Sequence, residues 1–236
     1  MRKFLLPLFA VSVLAVTVPA AEGDVPDWAK GVTITVPLTD PKIGSQIIVS
    51  DPAVWAFGAD DNKKGYLQLE YDRKKYKSTY TPKHRSPVHI ALVKQYPVTD
   101  FVMDVELQST TEEYDHQDLC LFFGFESPEK YYYVHLGRKA DMNANNVFIV
   151  NGADRAMISL RTNGGTDLSE EWTHVKVVRK TADGTIEVYW DDMKTPVQTA
   201  TNKAFLWGRV GIGSFDDLGN FDTLVLRGTK VVPAEK

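Results

Sequence analysis

The sequence predicts an all-β fold, a β-sandwich of two curved antiparallel sheets. Short runs rich in β-branched and aromatic residues alternate apolar with polar positions, which is typical of half-buried strands. Turn residues separate these runs, and no run after residue 20 has the apolar spacing of an amphipathic helix. About a dozen or more such strands in a chain of 236 residues favour a sandwich or a barrel.

Residues 1–20 are predicted to be a secretory signal peptide. Arg2 and Lys3 form a charged start, and the apolar run at 4–16 is too short to span a membrane. Ala20 supplies the small residue that a cleavage site needs. The alternative is an uncleaved anchor helix. We expect an exported protein, periplasmic or extracellular, with no membrane span once the signal peptide is removed.

The exported part is predicted to be a single domain at 21–231, followed by a flexible tail at 232–236. Its charge is mildly acidic, with a formal net charge of −4 for the whole chain, and this argues against nucleic acid as a partner. Cys120 is the only cysteine, so the chain has no internal disulfide. Its position in the middle of a predicted strand favours a small buried residue over a nucleophile.

The stretch at 100–137 holds three predicted strands around which the rest of the chain is organised. Apolar residues alternate with polar ones along 100–108, and the same period continues through 118–125 and 131–136. Pro128 marks the turn between the last two strands. If the three strands are neighbours, they form a groove floor whose polar face carries acids, tyrosines and a histidine.

The other predicted strands are short and are separated by proline, glycine and asparagine turns. Asp183 and Gly184 form a strong hairpin signal between two of them. Their predicted ranges are 32–36, 46–49, 53–57, 66–70, 88–93, 147–150, 156–160, 172–178, 185–190, 209–214 and 221–227.

Several blocks resemble the concanavalin A-like lectin/glucanase superfamily. Residues 171–177 (EWTHVKV) and 185–192 (TIEVYWDD) resemble a hairpin of laminin-G-like domains, and 208–213 with 221–226 resembles their last strand pair. Residues 99–106 (TDFVMDVE) resemble a strand of secreted bacterial 3-keto-disaccharide hydrolase-type domains. The resemblance implies a jelly-roll β-sandwich that recognises carbohydrate in a concave sheet groove, and it fixes no activity.

Three acidic residues are candidate catalytic groups for glycan cleavage. Asp104 and Glu106 lie two apart on one predicted strand and therefore share a face, and Asp118 begins the next strand. Glycoside hydrolysis needs one protonated carboxyl group and one carboxylate, which such a cluster supplies. The alternative is a solvated sheet face with ordinary surface acids.

His135 is a further candidate catalytic residue, since histidine exchanges protons near neutral pH. Tyr131 and Tyr133 share its predicted face and offer flat platforms for sugar rings. Histidine with tyrosine also suits a polysaccharide lyase, in which Arg138, Lys139 or Arg155 neutralises the substrate carboxylate. The alternative is a hydrogen-bonded histidine on a tyrosine-rich sheet.

Two basic stretches with interleaved aromatic residues, 71–77 and 83–85, contrast with the acidic chain. This contrast indicates a site for uronate or sulfated glycan, with Arg85 among the substrate-binding residues. The alternative is a strand edge protected by lysines.

No cofactor is predicted to be required, although a structural calcium ion is possible. Its candidate oxygen ligands are Asp216, Asp217, Asn220 and Asp222, and the identity of any metal is left open.

We expect a domain that binds an oligo- or polysaccharide and cleaves it as a glycoside hydrolase does. The alternatives are a non-catalytic glycan-binding or adhesion module, a polysaccharide lyase that acts on an anionic glycan, and a structural envelope protein.

Overall fold

The structure is a computed structural model, which describes residues 31–61 and 64–231. The predicted signal peptide at 1–20 and the predicted tail at 232–236 lie outside the described residues. Within the described ranges, no helix has the length and apolar character needed to cross a membrane. The described helical segments are two 3₁₀ turns, Pro41–Ser45 and Pro52–Val54.

Two antiparallel sheets account for the described strands. Sheet A runs in the order β11 (Ser159–Thr162), β14 (Gln198–Thr201), β13 (Thr185–Trp190), β12 (Thr173–Lys180), β6 (Val98–Ser109), β16 (Gly219–Lys230), β4 (Gly65–Leu69) and β3 (Trp55–Ala59), while β1 (Val32–Val36) also pairs with β16. Sheet B runs in the order β10 (Ala156–Met157), β9 (Val147–Asn151), β8 (Lys130–Gly137), β7 (Asp118–Ser127), β15 (Arg209–Ser214), β5 (His89–Val93) and β2 (Ile47–Val49).

The main core lies between the two sheets. Alternation along β6 sends Met103, Val105 and Leu107 into this core and leaves Asp104 and Glu106 on the outer face. Leu121 and Phe123 of β7 face the same core from sheet B. The period-two pattern therefore predicted the inward residues of these strands correctly, and the predicted all-β sandwich of antiparallel sheets is confirmed.

Both predicted tight connections are present. The chain passes from β7 to β8 through Pro128 and Glu129, since Ser127 pairs with Lys130. β12 and β13 form the hairpin predicted from Asp183 and Gly184, in which Gly184 takes a φ of +85° that a side chain would disfavour.

Sheet B is buried on its outer face as well as its inner face. A second apolar cluster lies there, with Cys120, Phe122, Tyr131 and Tyr133 among its fully buried members. Tyr80, Phe125 and Phe215 pack against this cluster. The outer face of sheet B is thus a second core, and Cys120 is a small buried residue within it, as predicted.

The prediction that β6, β7 and β8 form one groove floor is wrong. β6 pairs with β12 and β16 in sheet A, whereas β7 and β8 pair with each other in sheet B. Glu106 therefore lies on the outer face of one sheet, and Asp118 and His135 belong to the other. Here the loop at 110–117 carries the chain from β6 in sheet A to β7 in sheet B at one end of the sandwich, so consecutive strands belong to different sheets.

Candidate functional site

Three segments that connect sheet A with sheet B meet at one end of the sandwich, which we call the crossover end. They are 70–88 between β4 and β5, 110–117 between β6 and β7, and 215–218 between β15 and β16. Strand register brings them together, since Gly219 pairs with both Leu69 and Ser109. Loops gathered at one end of a rigid scaffold are a common position for binding residues.

Asp217 ties the three segments to one another. Its side chain is fully buried and forms an ion pair with Arg73 at 2.8 Å. The Tyr114 hydroxyl donates to Asp217 Oδ2 at 2.6 Å, and the backbone N–H of Asp118 donates to the same oxygen at 2.8 Å. A buried carboxylate with these charged and neutral donors fixes the relative positions of all three loops.

A cleft of about 260 Å³ opens at the crossover end. The Tyr71 hydroxyl donates to the Asp216 carbonyl oxygen at 2.7 Å, and the Tyr71 ring lies 4.6 Å from the His89 ring between centroids. The Tyr76 ring lies 5.8 Å from that of Tyr71. The lining residues share aromatic or polar character, apart from one valine: Tyr71, Arg73, Tyr76, Ser78, Val88, His89 and Asp216.

Asp51 holds one wall of the cleft in place. Its Oδ2 accepts hydrogen bonds from the hydroxyls of Tyr76 and Ser78 at 2.8 and 2.9 Å, and from the Thr79 N–H at 2.8 Å. Burial alone would raise the pKa of Asp51, but these hydrogen bonds outweigh it and lower the pKa well below its usual range. The wall is therefore ordered before any ligand arrives.

Two of the groups that line the cleft, His89 and Tyr71, stay neutral at physiological pH. Burial lowers the pKa of His89 to about 4, and the Nδ1 atom of His89 is buried without a hydrogen-bond partner among the described residues. Burial and the nearby Asp216 raise the pKa of Tyr71 well above its usual range. The histidine and the tyrosine are thus available as hydrogen-bonding and stacking groups rather than as charges.

Three aspartates cluster beneath the cleft. Asp118, Asp216 and Asp217 each place one carboxylate oxygen within 4.8 Å of the others. Carboxylate oxygens are the ligands that Ca²⁺ prefers. Arg73 already neutralises Asp217, and burial together with Asp217 raises the pKa of Asp118 to about 8, so Asp216 is the member of this cluster that keeps an uncompensated negative charge.

The predicted calcium ligands are therefore only partly brought together. Asp216 and Asp217 belong to the aspartate cluster, but Asn220 and Asp222 do not. Asn220 donates to Gln108 at 2.7 Å, and Asp222 forms an ion pair with Lys64. Both residues lie on β16 in sheet A, after the connecting segment at 215–218.

The predicted sugar platforms are inaccessible. Tyr131 and Tyr133 are fully buried beneath the residues that cover sheet B, so neither ring can stack on a sugar. His135 is also buried, and burial with nearby Arg155 lowers its pKa to about 3. Its Nδ1 accepts a 3.3 Å hydrogen bond from the Asn145 N–H. The prediction of an exposed proton-transfer histidine is wrong, because the second core covers this face.

Asp104 and Glu106 do share a half-exposed face, as their spacing predicted, but on sheet A. Asp104 bonds His174 at 2.9 Å and Arg227 at 2.8 Å, and Glu106 is the register partner of both His174 and Asp222. The hydrogen bond to Asp104 raises the pKa of His174. The sequence did not indicate His174 as a partner of Asp104, because the sheet B strands β7 to β10 lie between β6 and β12 in the sequence.

The predicted basic residues do not gather at His135. Arg138 bonds Glu113 at 3.1 Å and the Leu168 carbonyl oxygen at 3.0 Å, beside a second cleft of about 310 Å³. Arg85 and Arg155 lie instead over the outer face of sheet B, near Phe215. The two arginines predicted to neutralise a lyase substrate therefore lie apart, Arg138 beside the second cleft and Arg155 on the outer face of sheet B.

The cleft residues that sequence reasoning did not assign individually are Tyr71, Arg73, Tyr76, Ser78 and His89. They lie in, or just after, a long segment without strand or helix periodicity. The sequence signal for Tyr71, Arg73 and Tyr76 was the alternation of aromatic and basic residues at 71–77, which does not extend to Ser78 and His89.

Comparisons with known proteins find similar folds but no close relative. No family model matches the sequence, and no curated protein matches it. The carbohydrate-binding module CBM66 from Bacillus subtilis is similar in structure, with a TM-score of 0.55, 13% identity and coverage of 78% of this chain and 96% of that chain. Lectin II from Ulex europaeus has a TM-score of 0.55 and 12% identity, covering 85% of this chain and 99% of that one.

A third similar structure is a galectin-like protein of unknown function from Bacillus subtilis. Its TM-score is 0.54 at 9% identity, with coverage of 86% of this chain and 99% of that chain. Such coverage means that the likeness extends over nearly the whole of each compared sandwich. The chain therefore has a β-sandwich fold similar to those of these lectin-like proteins and of the carbohydrate-binding module.

Proposed function

We propose that this protein is an exported carbohydrate-binding protein that holds a sugar in the cleft at the crossover end. The observation that carries the proposal is the ordered cleft itself, which combines two tyrosine rings, a neutral histidine, an arginine and a carboxylate. The fold supports it, since lectins and a carbohydrate-binding module have similar structures. Export rests on the charged and apolar pattern of residues 1–20.

The chemistry of the cleft fits a sugar ring. The apolar C–H face of a pyranose packs against an aromatic ring, while its hydroxyls need both donors and acceptors at fixed positions. Tyr71 supplies the ring, Arg73 supplies donors, and the Asp216 carboxylate accepts. The cleft volume of about 260 Å³ suits one or two sugar units and is too small for a longer stretch of a polysaccharide.

Replacing Tyr71 by alanine is expected to weaken glycan binding by about tenfold to a hundredfold, which is typical for an aromatic anchor of a binding site. A glycan array would first identify a ligand, and calorimetry on wild type and variant would then measure the change. Tyr96 is 41% exposed, lies before β6 and outside the cleft, and provides the matched control. Equal losses for Tyr71→Ala and Tyr96→Ala would contradict the assignment.

Glycan cleavage is a second candidate function, and the cluster on sheet A favours it. Glu106 lies beside His174, which Asp104 orients, so an acid and a protonatable ring are neighbours on a half-exposed face. Glu106→Gln is then expected to reduce product formation by about a hundredfold or more while glycan binding at the cleft persists. Product analysis of array ligands checks this, and an unchanged rate would remove Glu106 from any catalytic role.

A further inference from the structure

Two guanidinium groups converge on one aromatic ring beside the cleft. The Arg155 guanidinium carbon lies 4.4 Å from the centroid of the Phe215 ring, and that of Arg85 lies 5.8 Å from it. Phe215 directly precedes Asp216, which lines the cleft. The two cations are therefore placed at the edge of the proposed sugar site.

The backbone fixes this pair of arginines. The Arg155 N–H donates to the Arg85 carbonyl oxygen at 3.0 Å, and the Arg85 N–H donates to Asp154 Oδ1 at 2.9 Å. Arg155 Nη1 also donates to the hydroxyl of the buried Tyr133 at 2.8 Å, and its guanidinium lies 4.7 Å from the Phe148 ring. Arg155 is thus held in one position on the second core.

Neither of these two guanidinium groups has a carboxylate within 4.0 Å among residues 31–61 and 64–231. Among the other described arginines, Arg73, Arg138 and Arg227 each form an ion pair with an acid. Arg161, Arg179 and Arg209 instead donate to backbone carbonyl oxygens. The Asp216 carboxylate attracts both guanidinium groups from beyond 4.0 Å. Holding two like charges near one ring still costs electrostatic energy, and a bound anion that contacts both reduces that cost.

We propose that the protein prefers an anionic glycan, whose carboxylate or sulfate group binds between Arg85 and Arg155 while a neighbouring sugar ring occupies the cleft. This inference rests on the proposed function and names its ligand class. Arginine suits both groups, because its planar fork of N–H donors matches two oxygens of a carboxylate or sulfate. Phe215 keeps both guanidinium planes close to their binding positions.

The test compares an oligogalacturonate with its methyl ester, which has the same rings without the charges, and with a sulfated oligosaccharide. The charged oligogalacturonate or the sulfated ligand is expected to bind at least tenfold more tightly than the ester, with an affinity that falls as salt is added. Whichever of the two binds more tightly identifies the group. Equal affinities for all three ligands would overturn the proposal.

Arg85→Gln is the main variant, because Arg85 is exposed and its side chain forms no hydrogen bond with the part of the chain that the structure describes. It is expected to reduce affinity for the charged ligand about tenfold and to leave affinity for the methyl ester unchanged. Lys83→Gln, which removes an exposed cation paired with Glu129, is the control. Arg155→Lys should weaken binding less than Arg155→Gln, because lysine keeps the charge but not the fork.

The outcomes separate this inference from the proposed function. Methyl ester binding that is weakened by Tyr71→Ala, with no effect of Arg85→Gln on the charged ligand, would support the cleft and overturn the anionic preference. Failure of all three ligands to bind wild-type protein, while a neutral glycan of the array binds and Tyr71→Ala weakens that binding, would overturn the anionic preference alone. Failure of every glycan of the array would overturn both. Loss of charged-ligand binding in Arg85→Gln alone, and not in Lys83→Gln, is the result that supports the arginine pair.

Discussion

Replacing Asn145 by alanine is expected to lower the free energy of unfolding by about 4 kcal/mol, among the largest effects of a single substitution. Asn145 is fully buried between β8 and β9. Its side-chain Oδ1 accepts from Gln198 Nε2 at 3.0 Å, and its Nδ2 donates to Asn163 Oδ1 at 2.8 Å and Thr162 Oγ1 at 3.1 Å. Alanine leaves these buried groups with fewer partners.

Backbone strain adds to the cost of that substitution. Asn145 has a φ of 53°, in the left-handed region that asparagine and glycine tolerate better than alanine. Asn145→Gly removes the same hydrogen bonds, but glycine adopts a positive φ without strain. The glycine variant should therefore lose less stability than Asn145→Ala. Asn143→Ala, at an exposed neighbouring position, is the control. Urea unfolding checks all three variants, and a loss below about 1 kcal/mol for Asn145→Ala would contradict this role.

Stability is expected to peak near pH 6.5 and to fall on both sides. Burial lowers the folded-state pKa of His89 to about 4 and of His135 to about 3, whereas each would titrate near 6.5 when unfolded. As the pH falls below 6.5, the unfolded chain binds protons that the folded chain refuses, so stability is lost. Each unit of difference between the folded-state and unfolded-state pKa of a histidine corresponds to about 1.4 kcal/mol of stability.

Asp118 acts in the opposite sense. Burial and Asp217 raise its folded-state pKa to about 8, so between about pH 4 and pH 8 the folded chain keeps a proton that the unfolded chain has lost. Its contribution to stability therefore decreases as the pH rises through that window and is lost above pH 8. Two histidines outweigh one aspartate below pH 6.5. Above it Asp118 acts together with His174, because the raised pKa of His174 also makes the folded chain hold a proton that the unfolded chain has lost.

Variants separate the two limbs of this pH profile. His135→Gln should flatten the acid limb, because glutamine does not titrate while its amide oxygen can still accept from the Asn145 N–H. Asp118→Asn should flatten the alkaline limb for the same reason. Urea unfolding at intervals from pH 4.5 to pH 8.5 measures both. A profile that is flat in the wild type would contradict the assigned burial of these three groups.

Local pattern predicted the strands and the direction of their side chains well. Period-two alternation placed Met103 in the core and Asp104 outside it, because the pleat requires neighbours to face opposite sides. It also placed Cys120, Tyr133 and His135 on one face of two paired strands. These features depend on residues close in the sequence, which is why they could be inferred without a structure.

What covers a face could not be predicted in this way. The polar appearance of His135 and the tyrosines suggested an exposed groove, but the distant residues Tyr80 and Phe215 close that face. The partner of Asp104 also comes from far along the chain, since His174 lies on a strand reached only after sheet B is built. Pairing between strands far apart in the sequence cannot be inferred from the alternation of apolar and polar residues within either strand.

The cleft itself illustrates the same limit. Tyr71, Arg73 and Tyr76 belong to a segment without regular secondary structure, so no period indicates where their side chains point. Their positions follow from contacts with Asp51, Asp216 and Asp217. Asp216 and Asp217 lie more than a hundred residues further along the chain. Loops of this kind acquire function from the scaffold that gathers them.

Backbone amide chemical shifts, recorded while a glycan from the array is titrated, test the central claim most directly. We predict that the largest shifts will cluster at the crossover end, at Tyr71, Ser78, His89 and Asp216. In the Tyr71→Ala variant, the shifts at the other three residues should be much smaller at the same glycan concentration. Shifts confined to the outer face of sheet A around Asp104, with the crossover end unchanged, would contradict the claim that the cleft is the sugar site.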